Sequence, residues 1–319
     1  MVLIPRPNSY LHAARKAKKD EWYTRLCDVE AEVDHYADQF RGRSIYLPCD
    51  DYRVSAFWTY FAERFESLGL TRLTATHYAP GGEVAHRADL TADGLTVTTL
   101  SGDGDFASEE CAAIMRASDV VVTNPPFSLW RNFFSAVLAS GADYLILGTT
   151  NCVTYKGVWP EIQAGRCRLG VRPPGNTMYF RVPESYTNTV ELPGEPGRYL
   201  SLRSIVWLTS LVVPAKPGVE LTASYDPDSY PTYDNYDAIE VSKVKDIPGD
   251  HCGPMGVPIT YMHRHDPERF ELVGMFKAGS LGAALGAKRI KIAGYGSPYN
   301  GPAVSGRATY PRIVIRRRA

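Results

Sequence analysis

The sequence predicts an α/β fold: a doubly wound, mostly parallel sheet joined to a smaller strand- and loop-rich C-terminal region. Three observations predict it. Up to residue 150, short apolar runs alternate with stretches of helical periodicity, the pattern of parallel strands joined by crossover helices. Three polar clusters fall at the ends of predicted strands: Cys49-Asp50-Asp51, Gly102-Asp103-Gly104-Asp105-Phe106 and Asn124-Pro125-Pro126-Phe127. In such sheets ligands bind at the carboxyl ends of strands, near the point where strand order reverses. Beyond Thr150, Pro and Gly become frequent and helical periodicity fades.

The elements follow in order. Val29, Val33, Tyr36 and Phe40 recur at helical spacing, and Gly42 stops the helix. Ser44 to Cys49 reads as the first buried strand. Ser55 is placed to cap a helix carrying Phe57, Tyr60, Phe61, Phe65 and Leu68, which ends at Gly69. Leu73 to Tyr78 is the second strand. Leu95 to Leu100 is the third, reached through a turn-rich stretch containing Gly81-Gly82 and Asp93-Gly94. A helix over 108–117 leads to the fourth strand, Asp119 to Thr123. A helix over 128–140, closed by Gly141, leads to the fifth, Tyr144 to Leu147. Tyr179 to Val182 and Ile205 to Leu211 are expected to complete the sheet. Ile313-Val314-Ile315 is too apolar to hang free and is expected to pair. The boundary is placed near Pro214, giving a first domain over 1–214 and a C-terminal region over 215–319.

Composition narrows the class. Hydrophobic residues make up 44% of 319, ordinary for a globular chain, and no apolar run approaches a membrane span. The start, Met1 to Pro7, is too short and too proline-broken for a signal peptide. Six scattered cysteines show no CxxC spacing, which argues against a zinc site and for a reduced, cytoplasmic chain. Acidic and basic residues balance at 35 each, which disfavours a purely electrostatic nucleic-acid binder. Local basic clusters remain at Arg15, Lys16, Lys18 and Lys19, and at Arg312 and Arg316 to Arg318; each reads equally as a phosphate contact or as solvated surface.

Asn124-Pro125-Pro126-Phe127 carries the most chemistry. The Asn124 side-chain oxygen accepts an N–H. Pro125 has no N–H but offers its carbonyl, and Pro126 keeps Pro125 extended. Phe127 supplies a stacking face. Two acceptors and an aromatic ring suit the capture of a planar amino group attached to a ring system.

Beyond this tetrapeptide, the chain resembles the EcoRI-type adenine-specific DNA methyltransferases. The resemblance runs through Lys18 to Thr24, Cys49 to Phe57, Gly102 to Phe106, Val121 to Ser128, Tyr233 to Val241 and Met255 to Thr260, and so covers most of the chain. It implies a Rossmann-like methyltransferase fold, S-adenosylmethionine as methyl donor, and transfer to N6 of an adenine flipped out of a specific DNA sequence. It implies Asn124, Pro125, Pro126 and Phe127 as the catalytic set. Tyr23, Thr24, Cys49, Asp50, Asp51, Asp105 and Phe106 are implied for the donor: Asp50 and its loop at the methionine portion, Asp105 and Phe106 at the adenine, Tyr23 and Thr24 closing the pocket. Double-stranded DNA is the implied partner, with a cognate restriction endonuclease acting on the same site. No metal is required. Two departures stand out. The glycine cluster common after the first strand is replaced by Asp50-Asp51-Tyr52-Arg53-Val54-Ser55, and the second strand ends in Thr76-His77-Tyr78 without the acid that normally holds the donor ribose. Asp50, Asp51 or another nearby residue takes that place.

Structural readings stand beside these. Asp50 and Asp51 suit a helix cap, Gly102 to Asp105 a polar turn, Phe106 the core, and Trp22 and Tyr23 a buried helix face. Two other functions use the same sequence features: methyl transfer to RNA adenine or a protein glutamine amide, and non-catalytic DNA binding on a methyltransferase scaffold. The base-reading residues are expected within 151–177 and 216–307. The tyrosines between 225 and 236 suit either base stacking or a folded loop.

Overall fold

A computed structural model describes residues 22–79, 81 and 83–318. The basic cluster at Arg15 to Lys19 and the 18–21 part of the resemblance lie outside these residues. Two compact units emerge among the described residues: those up to 149 with 168–214, and 150–167 with those from 215 onward.

Among the described residues the first unit holds twelve strands. They are β1 (Tyr23–Thr24), β2 (Ser44–Leu47), β3 (Arg72–Thr76), β4 (His86–Thr91), β5 (Gly94–Thr99), β6 (Val120–Thr123), β7 (Asp143–Thr149), β8 (Arg168–Leu169), β9 (Met178–Val182), β10 (Val190–Leu192), β11 (Glu195–Leu202) and β12 (Ile205–Thr209). The main sheet has the order β5-β4-β3-β2-β6-β7-β12-β8. Its centre, β3-β2-β6-β7, is parallel. The chain leaves β2 toward β3 and later returns to lay β6 on the other side of β2, so strand order reverses between β2 and β6.

The sheet is mixed, not mostly parallel: four of its seven neighbouring pairs are antiparallel. The third predicted strand is the return arm of a hairpin. Residues 86–91, taken as part of a turn-rich stretch, form β4, and Ala92-Asp93-Gly94 closes the hairpin with Gly94 at φ 112°. Charges in His86-Arg87-Ala88-Asp89 hide this strand because it lies near the sheet edge, half-exposed. β12 lies antiparallel to β7, so residues 205–209 do complete this sheet. Residues 178–182 do not; β9 belongs to a separate antiparallel sheet, β1-β9-β11-β10.

Helices flank these strands: α1 (Leu26–Val33), α2 (Ala37–Phe40), α3 (Ala56–Glu63), α4 (Phe65–Leu68), α5 (Glu109–Arg116) and α6 (Trp130–Ser140). Ser55 caps α3 by accepting from the Phe57 and Trp58 amides, and Ser108 caps α5 through the Cys111 amide. Gly69 and Gly141 end α4 and α6 in the left-handed conformation. One core includes Val29, Val33 and Phe40 from the first helices, Phe57 and Phe61 from α3, and Ile45, Leu73, Val120, Leu145 and Trp207 from the main sheet. Buried Glu32 anchors α1, accepting from Tyr36 Oη and from the amides of Val171 and Arg172.

The second unit contains α7 (Trp159–Gln163), α8 (Ser280–Ala284) and the sheet β13-β14-β18-β15. These strands are Ile239–Glu240, Met255–Pro258, Arg312–Arg317 and Phe270–Phe276 respectively. The apolar run at 313–315 does pair, filling the position between β14 and β15. A small hairpin joins β16 (Ala303–Val304) to β17 (Arg307–Ala308). At the centre of this unit Glu240 accepts from Tyr233 and, at 2.6–3.1 Å, from the Arg312 guanidinium. No helix among the described residues is long and apolar enough to cross a membrane.

Candidate active site at the strand ends

Strand direction brings the three polar clusters to one edge of the main sheet. The carboxyl ends of β2, β3 and β6 share an edge because these strands are parallel. β5 ends there too: β3 to β4 and β4 to β5 are each antiparallel, so β5 runs with β3. The hairpin therefore changes the topology without moving the 102–106 loop from the edge where a parallel strand would have delivered it.

Hydrogen bonds connect these loops directly. The Asp50 amide donates to the Thr76 carbonyl at 2.9 Å, and the Ala79 amide to the Asp103 carbonyl at 2.8 Å. Gly104 stands at φ 78°, and a Cβ built on it would lie 2.0 Å from the His77 carbonyl oxygen. Only glycine fits where the 102–106 loop crosses the end of β3.

Asp50 is the node of this edge. Its Oδ1 accepts from Ser55 Oγ at 2.6 Å and its Oδ2 from Thr123 Oγ1 at 2.6 Å. One carboxylate thus ties the cap of α3 to the last residue of β6, across the reversal in strand order. Burial raises its pKa to about 6, against the lowering effect of the Ser55 and Thr123 hydrogen bonds. Asp51 is partly exposed. Burial pushes its carboxyl up, but hydrogen bonds from the Arg53 side chain and amide bring it below the usual range. Cys49 is half-buried at the end of the same strand.

Asn124 follows Thr123. Its Nδ2 donates to the Trp22 carbonyl at 2.7 Å. Its Oδ1 is shielded from solvent and has no hydrogen-bond partner among the described residues. Such an oxygen is costly unless a ligand supplies the missing donor. With the amide nitrogen committed to Trp22, the acceptor is the atom left for that donor. Pro125 is buried, while Pro126 and Phe127 are half-buried. The Phe127 ring lies 5.0 Å from that of Trp22, tilted by 37°. The corner is therefore seated on the core without being sealed inside it.

The segment before α1 supplies the other half of the arrangement. β1 pairs with β9, setting Thr24 opposite Phe180. Arg25 is ion-paired to Glu195, and Trp22 Nε1 donates to Tyr186 Oη at 3.2 Å. Trp22 is thus fixed where its carbonyl orients Asn124 and its ring supports Phe127. Thr24 Oγ1 is a second buried oxygen without a partner among the described residues, whereas Tyr23 is 45% exposed.

Asp105 and Phe106 occupy the neighbouring loop. Asp105 Oδ1 accepts from the Ala107 amide at 2.9 Å, and the side chain is half-buried. Phe106 is buried, its ring 5.1 Å from Phe133 and nearly perpendicular to it. It joins this loop to α6, the helix that follows the Asn124 turn.

Sequence reasoning did not assign Trp22, Ser55 or Thr123 a part in this arrangement. Ser55 was legible as a cap, but its link to Asp50 crosses a loop. Thr123 is separated from Asp50 by 73 residues and no local pattern marks the pairing. Trp22 acts on Asn124 through its backbone carbonyl, which residue type does not encode.

Comparison with known proteins gives a consistent result. The family model described as adenine-specific methyltransferase EcoRI matches residues 10–318. The chain is 39% identical over 289 residues to the type II methyltransferase M.EcoRI of Escherichia coli, covering 83% of this chain and 89% of that protein. It is 32% identical over 319 residues to the type II methyltransferase M.MpnI of Mycoplasma pneumoniae, covering 97% and 98%. The type II methyltransferase M.MgeORF184P of Mycoplasma genitalium is 32% identical over 274 residues, covering 83% and 85%. No solved structure matches the chain significantly. The chain belongs to the EcoRI family of adenine-specific methyltransferases, enzymes whose methyl donor is S-adenosylmethionine.

Proposed function

We propose that this chain methylates N6 of an adenine flipped out of a specific double-stranded DNA sequence, using the Asn124 to Phe127 corner to hold the base. The observation that carries the assignment of roles is the buried Asn124 Oδ1, which lacks a donor among the described residues while its own amide nitrogen is held by Trp22. An exocyclic amine has two N–H groups. Asn124 Oδ1 and the Pro125 carbonyl accept them, which fixes the amine and directs its nitrogen lone pair. Phe127, backed by Trp22, stacks on the extruded ring.

The residues at this edge suit the donor. When bound, S-adenosylmethionine supplies an electrophilic sulfonium methyl. Thr24, with its partnerless hydroxyl oxygen, Cys49, Asp50, Asp51, Asp105 and Phe106 are the groups that would hold it, with Tyr23 at the solvent side. Asp50 also ties the donor loop to the base-holding corner through Thr123.

At a coarser level the first unit is a mixed α/β fold. Its central order, β3-β2-β6-β7, and the reversal beside β2 support reading it as a doubly wound methyltransferase sheet extended by antiparallel strands at both edges. Residues after 214 are read as the target-recognition region. A cognate endonuclease cutting the same site, and action in the cytoplasm, complete the proposal.

Transfer of label from methyl-tritiated donor to DNA, RNA and protein tests this reading. The expected result is label in DNA, recovered as N6-methyladenine. Asn124→Ala should bind the donor nearly as well as wild type and transfer methyl roughly 10²- to 10³-fold more slowly, the scale for losing an oriented polar group. Label confined to RNA or protein, or unimpaired transfer by Asn124→Ala, would overturn it.

A further inference from the structure

No aspartate or glutamate follows Glu271, although nine lysines and arginines do. Five of those cations are engaged within the second unit. Arg312 is paired with Glu240 and Arg316 with Glu271, Arg317 and Arg318 donate to the Gly249 and Pro267 carbonyls, and Lys277 donates to Thr154. The other four are Lys288, Arg289, Lys291 and Arg307. All four are exposed, and none has an ion-pair partner among the described residues.

These four lie on a segment that is firmly built. Ile290 and Tyr299 exchange backbone hydrogen bonds of 2.9 and 2.8 Å, making residues 290–299 a hairpin-like arm with Tyr295 exposed near its tip. Asn300 clamps its return through two hydrogen bonds to the Gly279 backbone, at 2.8 and 2.9 Å. Buried Asn235 holds both ends of the arm: its Nδ2 donates to the carbonyls of Lys288 and Gly301, and its carbonyl accepts from the Lys288 amide. Asp234 accepts from the amides of Ser305 and Gly306, closing the turn that presents Arg307. The Tyr233-Asp234-Asn235 motif thus has a structural task, to set these cations on an ordered scaffold.

We infer that the arm over residues 288–299, together with the turn at 305–307, is a DNA-backbone grip of this enzyme, with Lys288, Arg289, Lys291 and Arg307 neutralising phosphates and Tyr295 lying against the sugar or base surface. The inference rests on the DNA-methylation reading above. Concentrating unpaired cations where no acid lies along the chain suits a polyanion, and ordering the backbone beforehand reduces the entropy lost on binding. The zero net charge of the whole chain does not oppose this. The charge that matters is local, and much of the balancing acid lies elsewhere in the sequence.

The test is duplex binding by the full chain, followed by fluorescence anisotropy across a salt series, with the variant Lys288→Ala/Arg289→Ala/Lys291→Ala. Each phosphate contact contributes about 0.9 to the slope of log affinity against log salt. The triple variant should therefore lose about 2.7 from that slope and bind roughly 10²- to 10³-fold more weakly near 0.1 M salt. Arg307→Ala should lower the slope by about one. Donor affinity, measured by calorimetry, and the urea-denaturation profile of the full chain should be unchanged in both variants, which shows that both units are folded. Lys243→Ala/Lys245→Ala removes two exposed cations outside the arm and should leave the slope close to wild type. A wild-type slope in the triple variant, or an equal fall per charge in the Lys243/Lys245 control, would overturn the inference while wild-type methylation of DNA leaves the functional reading intact. If the wild-type chain neither binds nor methylates DNA, both fall.

Discussion

Replacing Asp50 by Asn should make the protein more stable and less active. Asp50 is buried, and its carboxyl titrates at about 6 in the folded chain against 3.8 for an ordinary aspartate. Holding it ionised at neutral pH therefore costs about 3 kcal/mol of stability, at 1.36 kcal/mol per pH unit. The sign follows from proton uptake. Between about pH 4 and 6 the folded protein binds more protons at this site than the unfolded chain does, so the site's contribution falls as pH rises through that window. The protonated acid and the amide offer the same bonding pattern. One oxygen accepts from Ser55 Oγ, and the opposite atom donates to Thr123 Oγ1, which turns from donor to acceptor. Asp50→Asn should therefore match wild type within about 1 kcal/mol at pH 4 and exceed it by roughly 2–3 kcal/mol at pH 7.5. Urea denaturation followed by tryptophan fluorescence across this pH range measures the difference, since Trp58 and Trp207 are buried in the same unit. Methyl transfer should fall at the same time, because a carboxylate retained at such a cost is retained for function. Parallel stability profiles for the two proteins would refute the argument, since they would mean that Asp50 carries no proton-linked penalty.

Three further outcomes follow. Phe127→Ala should raise the KM for DNA more than the Kd for the donor, read by steady-state kinetics beside calorimetry; the reverse pattern would place the ring in the donor pocket. Gly104→Ala should lower stability by about 2 kcal/mol or more, because the added methyl meets the His77 carbonyl oxygen and the backbone is left-handed; an unchanged melting temperature would show that the two loops separate freely. Arg312→Ala leaves Glu240 buried beside Tyr233 without its cation and should cost about 3–5 kcal/mol, measured by urea denaturation. A cost below 1 kcal/mol would mean that water reaches Glu240.

The legible part of the fold was the part governed by local periodicity. β2, β3, β6 and β7 are short apolar runs buried on both faces, and the caps at Ser55 and Ser108 and the stops at Gly69 and Gly141 sit beside them. Hydrophobicity fails as a guide where a strand is half-exposed, and this concealed β4. The assignment of residues 179–182 to the main sheet failed for a different reason. β12 is buried throughout while β9 alternates and exposes Arg181, but both read as short strands, and which sheet each joins is decided by long-range pairing.

The candidate site divides along the same line. Asn124-Pro125-Pro126-Phe127 and the Asp50 loop could be read because their chemistry lies in residue type. What holds them together could not, because it lies in three contacts of high sequence separation: Thr123 to Asp50, Asn124 to the Trp22 carbonyl, and Trp22 to Phe127. These contacts give the corner its one distinctive property. An asparagine in a flexible turn can satisfy both ends of its amide with water or backbone. Here Trp22 takes the nitrogen, burial excludes water, and the oxygen remains without a donor among the described residues. That unmet hydrogen bond costs folding energy, and on the proposed reading an arriving amine recovers it. The same logic explains why the segment from Trp22 through α1 is fastened so heavily, by Arg25 to Glu195, by Trp22 to Tyr186 and by Glu32 to the 171–172 amides. A loose Trp22 would let the Asn124 amide rotate, and the acceptor would be lost before the base entered.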